Sequence, residues 1–278
     1  MPEGPEIRRA ATQLDKVLRG NRIEEAYFGQ AWLKRHTPSL VGEQVVSVTS
    51  HGKAILILFS NEMSLYSHNQ LYGRWYISRR GNLPKTTRVL RVALHTQSHS
   101  ALLYSASDIK WLDCADVTAH PYLAKLGPEA LDSNVHWRDI AAQILESRFQ
   151  RRSLASLYLD QSFIAGIGNY LRSEILHAAK LSPHAKPQNL HRKHIGALAR
   201  ATLNITRLAY ETAGVTNDPQ RVKRLQKQGL KRSAYRFAVF SRSGLPCYSC
   251  STPITRITAS SRRLYLCAQC QLCDAAMT

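Results

Sequence analysis

The sequence predicts an α+β protein with more than one domain. Three observations lead to this fold class: an N-terminal helical pattern followed by short alternating segments, a change to helical periodicity after about residue 135, and a cysteine-rich tail. A chain of 278 residues with 44% hydrophobic residues is long enough for one large or two ordinary domains. This composition argues against an extended disordered chain.

The first predicted element is a helix over residues 5–19. Apolar residues such as Ile7, Leu14 and Leu18 recur at helical spacing, and Gly20 ends the pattern. Pro5 suits the first turn, where a missing N–H group has no helical acceptor to lose.

Seven short segments rich in β-branched residues follow this helix. Turn signals separate them, which is typical of an antiparallel sandwich or barrel. We expect one domain over about residues 2–124. The predicted strands are Ile23–Phe28, Gln44–Ser50, Ala54–Ser60, Met63–His68, Trp75–Ser78, Val89–Thr96 and Ala101–Ser107.

The second half of the chain is predicted to be helical after a loop-like stretch at residues 113–134, and we place a second domain at 125–214. Between residues 215 and 236 lies a basic segment with one acid, Asp218, and we interpret it either as a mobile loop that orders on nucleic acid or as a solvated helix face. A cysteine module, residues 237–273, ends the chain. Predicted helices cover Val135–Leu145, Leu154–Leu159, Tyr170–Ala179 and Asn189–Ala213, the last closed by Gly214. The basic residues of the segment are Arg221, Lys223, Arg224, Lys227, Lys231, Arg232 and Arg236.

The charge indicates an anionic partner. The formal net charge is +19, and nucleic acid is the commonest partner of such a surface, although a ribosomal or membrane-surface protein would also fit. No run of about eighteen apolar residues exists, so we expect no membrane span. The first residues, with acids and prolines, do not form a signal peptide, and we expect a cytoplasmic protein.

The cysteines predict a structural metal site. Cys247-x-x-Cys250 and Cys267-x-x-Cys270 are separated by sixteen residues, a spacing typical of a four-thiolate Zn²⁺ site. Four sulfurs leave no open position, so the ion would fold the tail rather than activate water. Incidental thiols are the alternative, and Cys273 allows a competing Cys270/Cys273 register.

Pro2 is a candidate nucleophile. Methionine before proline is normally removed, which exposes the Pro2 amine. An α-amine has a pKa of about 8, against about 10.4 for lysine, so a larger fraction of the α-amine is neutral at pH 7. A secondary amine forms a cationic iminium ion with a sugar aldehyde, which is an electron sink for elimination. Glu3 and Glu6 could act as general acid or base. The alternative is structural, because proline and glutamate are also preferred at helix starts.

Two predicted turns between strands carry further candidates. Lys53 lies in one, where a lysine is usually only solvated. The consecutive Gln70, Leu71 and Tyr72 lie in another and could fill the gap left by an extruded base, or pack on a neighbouring loop.

Two features of the second half could bind phosphate. Asn169 caps a predicted helix after Gly166-Ile167-Gly168, where backbone N–H groups can approach an anion, although a lone Gly-x-Gly is also found in ordinary tight turns. Arg262 and Arg263 lie between the cysteine pairs, at the expected tip of a hairpin.

Taken in order, these motifs resemble the formamidopyrimidine-DNA glycosylase and endonuclease VIII family over essentially the whole chain. The start Pro-Glu-Gly-Pro-Glu-Ile, Gly52-Lys53, Gly166 to Glu174 and the Ser-Ser-Arg of the cysteine tail carry the resemblance. The triplet 70–72 and Gly4 resemble the bacterial endonuclease VIII branch. The resemblance implies an N-terminal β-sandwich with flanking helices and a C-terminal helix–two-turn–helix domain with a zinc-finger β-hairpin.

The resemblance also implies a function: a base-excision-repair DNA glycosylase and abasic-site lyase that removes oxidised pyrimidines and cleaves the strand by β,δ-elimination. Pro2 would attack the sugar, Glu3 would open it with Glu6 in support, and Lys53 and Arg262 would assist the two eliminations. The implied partner is double-stranded DNA containing an oxidised base or abasic site, bound by a nucleoid-associated monomer without contact to a membrane. The residues implied to bind DNA are Gln70, Leu71, Tyr72, Lys125, Asn169 and Arg263.

Some residues depart from the family pattern. Lys125 and Arg263 stand where arginine and proline are expected, the basic segment is long, and Cys273 lies outside the motif. Two rival functions remain: the same chemistry on oxidised purines, and a non-catalytic zinc-containing DNA-binding protein. The second gives no reason for Pro2, Glu3, Glu6 and Lys53 to match together.

Overall fold

The computed structural model describes residues 2–271 and divides the chain into two compact units, residues 1–125 and 126–278. The division falls one residue after the predicted boundary. Within the described residues, no helix combines the length and the apolar character needed to cross a membrane.

The first unit contains two antiparallel four-stranded sheets, with strand orders β1-β6-β7-β5 and β2-β3-β4-β8. Its elements are α1 (Gly4–Leu18), β1 (Glu25–Phe28), α2 (Ala31–Lys34), β2 (Val45–His51), β3 (Ala54–Phe59), β4 (Ser64–His68), β5 (Arg74–Arg79), β6 (Leu90–His95), β7 (His99–Tyr104), β8 (Asp108–Leu112) and α3 (Cys114–Ala119). Apolar side chains from both sheets, for example Ile57 and Leu103, share one core. The sandwich alternative is therefore confirmed over the barrel.

Helix α1 covers this core with one face. Ile7, Leu14 and Leu18 are at most 1% exposed and pack with the sheets. These residues occur at the helical spacing that predicted the element, and the helix packs against β2.

Strand β8 and helix α3 are differences from the sequence prediction. The segment 108–112 lies at the edge of its sheet and pairs only with β4. Edge strands tolerate charged residues, and here Asp108 and Lys110 alternate with buried Ile109, which weakens the hydrophobic signal. Asp113 caps α3 by accepting the Asp116 amide at 2.7 Å, so part of the loop-like stretch is helical.

The second unit combines helices with one hairpin. Its elements are α4 (Trp137–Leu145), α5 (Leu154–Leu157), α6 (Asn169–Ala178), α7 (Arg192–Glu211), α8 (Pro219–Lys227), α9 (Arg232–Tyr235), β9 (Thr255–Ala259) and β10 (Arg262–Leu266). Leu171, Ile175 and Leu198 are fully buried, and Leu264 of the hairpin joins the same core. The hairpin is thereby packed against the helices.

The basic segment 215–236 is mostly helical. Asp218 caps α8 by accepting the Arg221 amide at 2.8 Å, with Pro219 at the helix start. No residue of α8 is buried. Of the two interpretations, the structure corresponds to the solvated helix face for residues 219–227. The local cap explains why a helix forms without an apolar stripe.

Candidate active-site and metal-binding residues

The start of α1 holds two carboxylates beside Pro2. Glu3 is the N-cap, and its side chain accepts the backbone N–H of Glu6. The Glu3 amide in turn donates to Glu6 Oε2 at 3.0 Å. This reciprocal capping box places both acids at the positive end of the helix dipole, where carboxylates are stabilised. Glu3 is only 3% exposed, so its position is set by the fold as well as by the cap.

Lys53 occupies a two-residue turn between β2 and β3. Gly52 has φ +57°, a left-handed conformation that glycine adopts without steric cost. The Lys53 amide donates to the Tyr122 hydroxyl at 2.8 Å. The turn is therefore tied to the segment that follows α3.

A group of aromatic and imidazole rings lies beside Lys53. The rings of His68 and Tyr122 are 5.3 Å apart, edge to face. Burial lowers the pKa of His68, the Lys53 ammonium lowers it further, and Asp108 opposes both. His68 is therefore neutral at neutral pH and adds no charge next to Lys53.

A second ring pair joins the same strand, β4, to the residue that follows α3. The rings of Tyr66 and His120 are 4.3 Å apart. Burial lowers the pKa of His120, and Lys110 adds to the effect. Burial, followed by the nearby Asp108 carboxylate, raises the pKa of Tyr66. Burial thus favours the uncharged forms of both imidazoles and of the Tyr66 phenol near the Asp108 carboxylate.

The turn between β4 and β5 presents the triplet predicted to fill a base stack. Leu71 and Tyr72 are 56% and 66% exposed, so more than half of each side chain is open to solvent. Gln70 has φ +47°, and its side chain accepts the Ser107 hydroxyl at 2.8 Å. A Cβ on Gly73 would lie 2.6 Å from a backbone oxygen, so the turn requires glycine there. One side-chain hydrogen bond and close backbone packing at Gly73 thus define the turn that carries Leu71 and Tyr72.

Lys125, the last residue of the first unit, ends a short 3₁₀ turn and is exposed. Its ammonium is available to a phosphate as a point charge, without the bidentate geometry of an arginine.

In the second unit, Asn169 is the first residue of α6, and its side chain is tied to Arg172. The Arg172 guanidinium is fully buried and donates to Asn169 Oδ1 at 2.7 Å. It also donates to the carbonyls of Ala259 and Arg263, both at 3.3 Å. One side chain thus holds the helix start and the two strands of the hairpin.

Arg262 and Arg263 follow the hairpin turn. Ser260 and Ser261 have φ +53° and +58°, the conformation of a two-residue type I′ turn. Arg262 pairs with Ala259 and is exposed. Successive side chains of a strand point to opposite faces. Arg262 therefore lies on the same face of β10 as Leu264, which packs in the helical core, whereas Arg263 lies on the other face.

The four predicted cysteines form one cluster, whose sulfurs all lie within 4.8 Å of one another. The Sγ–Sγ distances are 3.8 Å for Cys247 to Cys270, 3.4 Å for Cys250 to Cys267 and 3.5 Å for Cys250 to Cys270. A tetrahedral Zn²⁺ at about 2.3 Å from each sulfur separates them by about 3.8 Å. The donor set therefore fits a zinc ion. Cys273 lies outside the described residues, so its competing register stays a prediction.

The cluster is also tied to the segment that follows α6. Gln271 accepts the Cys267 amide at 2.9 Å and donates to the Leu181 carbonyl at 2.9 Å. The apolar core of the module is small, with Val239, Ile254 and Tyr265 as its members besides two cysteines. Metal coordination would thus supply much of the stability of this module.

The predicted residues fall into separate groups by unit. Pro2, Glu3 and Glu6 share the start of α1, and Lys53 and the triplet lie on two turns of the same unit. In the second unit, the Asn169 side chain and the main-chain carbonyls of Ala259 and Arg263 meet around Arg172. Sequence reasoning missed Arg172 and Tyr122. A charged residue on the apolar face of α6 was the available signal for Arg172, whereas Tyr122 offered none beyond its His-Pro-Tyr-Leu context.

Comparison with known families gives two matches. The N-terminal domain of formamidopyrimidine-DNA glycosylase matches residues 1–107, and the H2TH domain of formamidopyrimidine-DNA glycosylase matches residues 126–220. Together they cover most of the chain.

Individual proteins show the same likeness. The chain is 44% identical to endonuclease 8 of Shigella sonnei and to that of Escherichia coli strain K12, in each case over 98% of this chain and 100% of the relative. Among solved structures, Lactococcus lactis Fpg bound to DNA containing N7-benzyl-Fapy-dG gives a TM-score of 0.80 at 18% identity. The match covers 98% of this chain and 100% of that one, and shows the fold.

The same Lactococcus protein bound to DNA containing an oxidised pyrimidine gives a TM-score of 0.79. Two matched domains and a relative that is 44% identical over its full length agree with the order of the motifs. The chain therefore belongs to the formamidopyrimidine-DNA glycosylase and endonuclease VIII family, which comprises base-excision-repair DNA glycosylases with abasic-site lyase activity.

Proposed function

We propose that this glycosylase removes oxidised pyrimidines of the thymine glycol type from double-stranded DNA and then cleaves the strand by β,δ-elimination. The observation that carries the proposal is the start of α1, where two carboxylates interlocked through the backbone follow Pro2 directly. A purely structural role as a helix cap explains why Glu3 and Glu6 occupy these positions. It gives no reason for Pro2, which precedes the N-cap residue.

In the proposed reaction, removal of Met1 exposes the Pro2 amine, which attacks C1′ of the damaged nucleotide. The C1′–N bond breaks, and the base leaves with the electron pair and takes up a proton. Glu3 donates a proton to the ring oxygen, the sugar opens, and the C1′–nitrogen bond becomes an iminium ion. Glu6 holds the backbone N–H of Glu3 and thereby its orientation.

The two eliminations follow from the iminium ion. Loss of a C2′ proton expels the 3′ phosphate, and Lys53 assists this step by holding that phosphate and passing the proton. A second elimination expels the 5′ phosphate with Arg262 in the corresponding role. Asn169, Lys125 and Arg263 hold backbone phosphates. The strand would then carry phosphates on both sides of the gap.

The choice of pyrimidines rests on the exposed turn of Gln70, Leu71 and Tyr72. Three consecutive side chains on this turn can occupy the space that an extruded nucleobase leaves. The 44% identity to proteins named endonuclease 8 supports the same choice. Oxidised purines are the alternative, since the Lactococcus lactis protein of the same fold binds DNA containing N7-benzyl-Fapy-dG.

In the same proposal, Cys247, Cys250, Cys267 and Cys270 hold one structural Zn²⁺. Its chemistry is confined to four thiolate bonds that close the hairpin module.

Reduction with borohydride tests the central step, because it converts an iminium ion into a permanent protein–DNA adduct. We expect the adduct with protein that lacks Met1 on a thymine glycol duplex, and less on an 8-oxoguanine duplex. A matched protein with a retained N-terminal tag should bind the duplex but give neither adduct nor cleavage. Normal cleavage by the tagged protein would exclude Pro2 as the nucleophile, and a reversed lesion preference would assign the protein to purines.

A further inference from the structure

Arg172 is a buried charged side chain of the second unit that reaches several elements at once. It is fully buried, and its guanidinium donates to the Ala155 carbonyl at 2.8 Å as well as to Asn169 and the two hairpin carbonyls. A buried guanidinium persists only when such acceptors replace water. Its acceptors belong to α5, α6, β9 and β10.

The acceptors of Arg172 coincide with the proposed phosphate-binding groups. Because Asn169 Oδ1 accepts from Arg172, the Asn169 amide NH₂ group is directed away from the guanidinium and its two donors are left for a phosphate. Ala259 is the partner of Arg262 in the closing pair of the turn. The same guanidinium therefore fixes the rotamer of Asn169 and the hairpin position from which Arg262 projects.

The turn carries a local conformational cost, because both of its serines adopt the positive φ for which a type I′ turn prefers asparagine and glycine. A second tie between β10 and α6, from the Tyr265 amide to Ser173 Oγ at 3.3 Å, lies further along the strand and does not involve the side chain of Asn169.

We propose that Arg172 is a positioning residue that couples Asn169 to Arg262, so that the two act on the DNA backbone as one preorganised pair. The proposal rests on the proposed function. It predicts that loosening Arg172 weakens phosphate binding and the second elimination while leaving the Pro2 adduct intact.

The test is a double-mutant cycle that combines Arg172→Met with Asn169→Ala and reads two quantities. One is affinity for a duplex with a non-cleavable abasic analogue, and the other is the ratio of δ to β products. Residues that share one network are non-additive, so we expect a coupling of about tenfold in each quantity. Gln271→Ala is the matched control, since it loosens the tie of the cysteine module to Leu181 and has no hydrogen bond to Asn169, so its effects should add independently to those of Asn169→Ala.

Arg172→Lys repeats the cycle in case the methionine variant does not fold. Lysine keeps the charge but lacks the planar guanidinium that reaches several acceptors. The coupling should therefore have the same sign and a smaller magnitude. Additive effects, or an unchanged product ratio in a folded variant, would overturn the proposal. The borohydride adduct in the wild-type protein checks the lyase mechanism separately, so its failure is distinguishable from failure of the coupling.

A separate observation concerns α8, which lies almost entirely beyond the matched H2TH residues. Its first turn is docked on the cysteine module, because the Arg221 guanidinium stacks on the Tyr248 ring at 4.5 Å and Arg242 stacks on the same ring at 3.7 Å. On the rest of the helix, Lys223, Arg224 and Lys227 are exposed and form no ion pair with any described residue.

We also infer that this face of α8 is a second contact for the DNA phosphate backbone. Three exposed cations at helical spacing match the charge of a phosphate strand, and the ring stack holds the helix in place for it. The contact would add affinity without sequence preference.

Replacing Lys223, Arg224 and Lys227 together by glutamine tests this interaction. The slope of log affinity against log salt should become shallower by about 0.9 for each phosphate that the variant no longer neutralises. The matched control changes the exposed Lys16, Lys34 and Lys193 to glutamine and lowers the net charge equally. Equal slopes for the two triple variants would overturn the inference, and because binding alone is measured, the result does not depend on the lyase mechanism.

Discussion

The candidate residues of the two units are held in different ways. In the first unit, Glu3 and Glu6 are fixed by a capping box that spans four residues, and Lys53 lies in a two-residue turn. In the second unit, the hairpin that carries Arg262 accepts hydrogen bonds from Arg172, about ninety residues earlier, and cysteines from both sides of the hairpin form the sulfur cluster. The first set is local, whereas the second depends on long-range contacts.

This difference separates chemistry from binding. The proposed nucleophile and its acids belong to an element that also covers a large apolar core, and that core needs no metal. Arg262 and Arg263, two of the proposed phosphate ligands, sit on the hairpin of the cysteine module, whose own apolar cluster is small. Damage to the first unit should therefore reduce reaction steps, and damage to the second should reduce DNA binding first.

Loss of the metal site should have the largest effect. In Cys247→Ser, or after chelation, the hairpin should unfold, because structural zinc contributes roughly 10–16 kcal/mol to small zinc modules. DNA affinity should fall by orders of magnitude while the sheets of the first unit keep their circular dichroism signal. Ser249→Ala, in the same knuckle, is the control. Full DNA affinity in metal-free protein would show that the hairpin does not depend on the ion.

Glu3→Gln should have the next largest effect. The amide still accepts the Glu6 N–H and keeps the cap, so the Tm should change little, but it lacks the proton that opens the sugar. General acid–base groups contribute about 10²–10⁴-fold, and we expect a loss of that size in single-turnover excision with unchanged affinity for an abasic analogue. A loss of affinity equal to the loss of rate would assign Glu3 to binding instead.

Arg262→Ala should have a smaller, step-specific effect. Excision and β-elimination should continue, and β products should accumulate, because only the second elimination loses its proposed charged group. Arg263→Ala is the matched control on the opposite face of β10, where we expect a modest fall in affinity and a normal product ratio. Complete conversion to δ products by the Arg262 variant would exclude its role.

The pH dependence of stability should show the smallest effect. Burial lowers the pKa of His68 and of His120, so the unfolded chain binds protons that the folded chain does not. The free energy of unfolding should therefore decrease as the pH falls below about 6.5, the ordinary histidine value, and be unaffected above it. His68→Gln combined with His120→Gln should flatten this dependence. Urea titrations at several pH values measure it, and an unchanged pH dependence in the double variant would mean that both rings bind protons equally in the folded and the unfolded chain.

Several features could be predicted from the sequence because each is a short-range pattern. Helix α1, seven of the strands and the cysteine spacing all follow from periodicity or from residues a few positions apart. Strand β8 could not be predicted, since its residues alternate with charges that only an edge position tolerates. Helix α8 depends on one cap rather than on an apolar stripe. The sequence therefore could not decide between a helix and a loop for this segment.

The sequence by itself determined the order of the motifs, the family and the types of side chain available for chemistry. Only the tertiary structure decided which groups share an environment. It buries Arg172 against the hairpin, places the Tyr122 hydroxyl under Lys53 and brings the four sulfurs together. The physical reason is that capping, turns and periodicity act within one or two turns of chain, whereas burial and hydrogen-bond partners of buried groups are set by segments far apart in sequence.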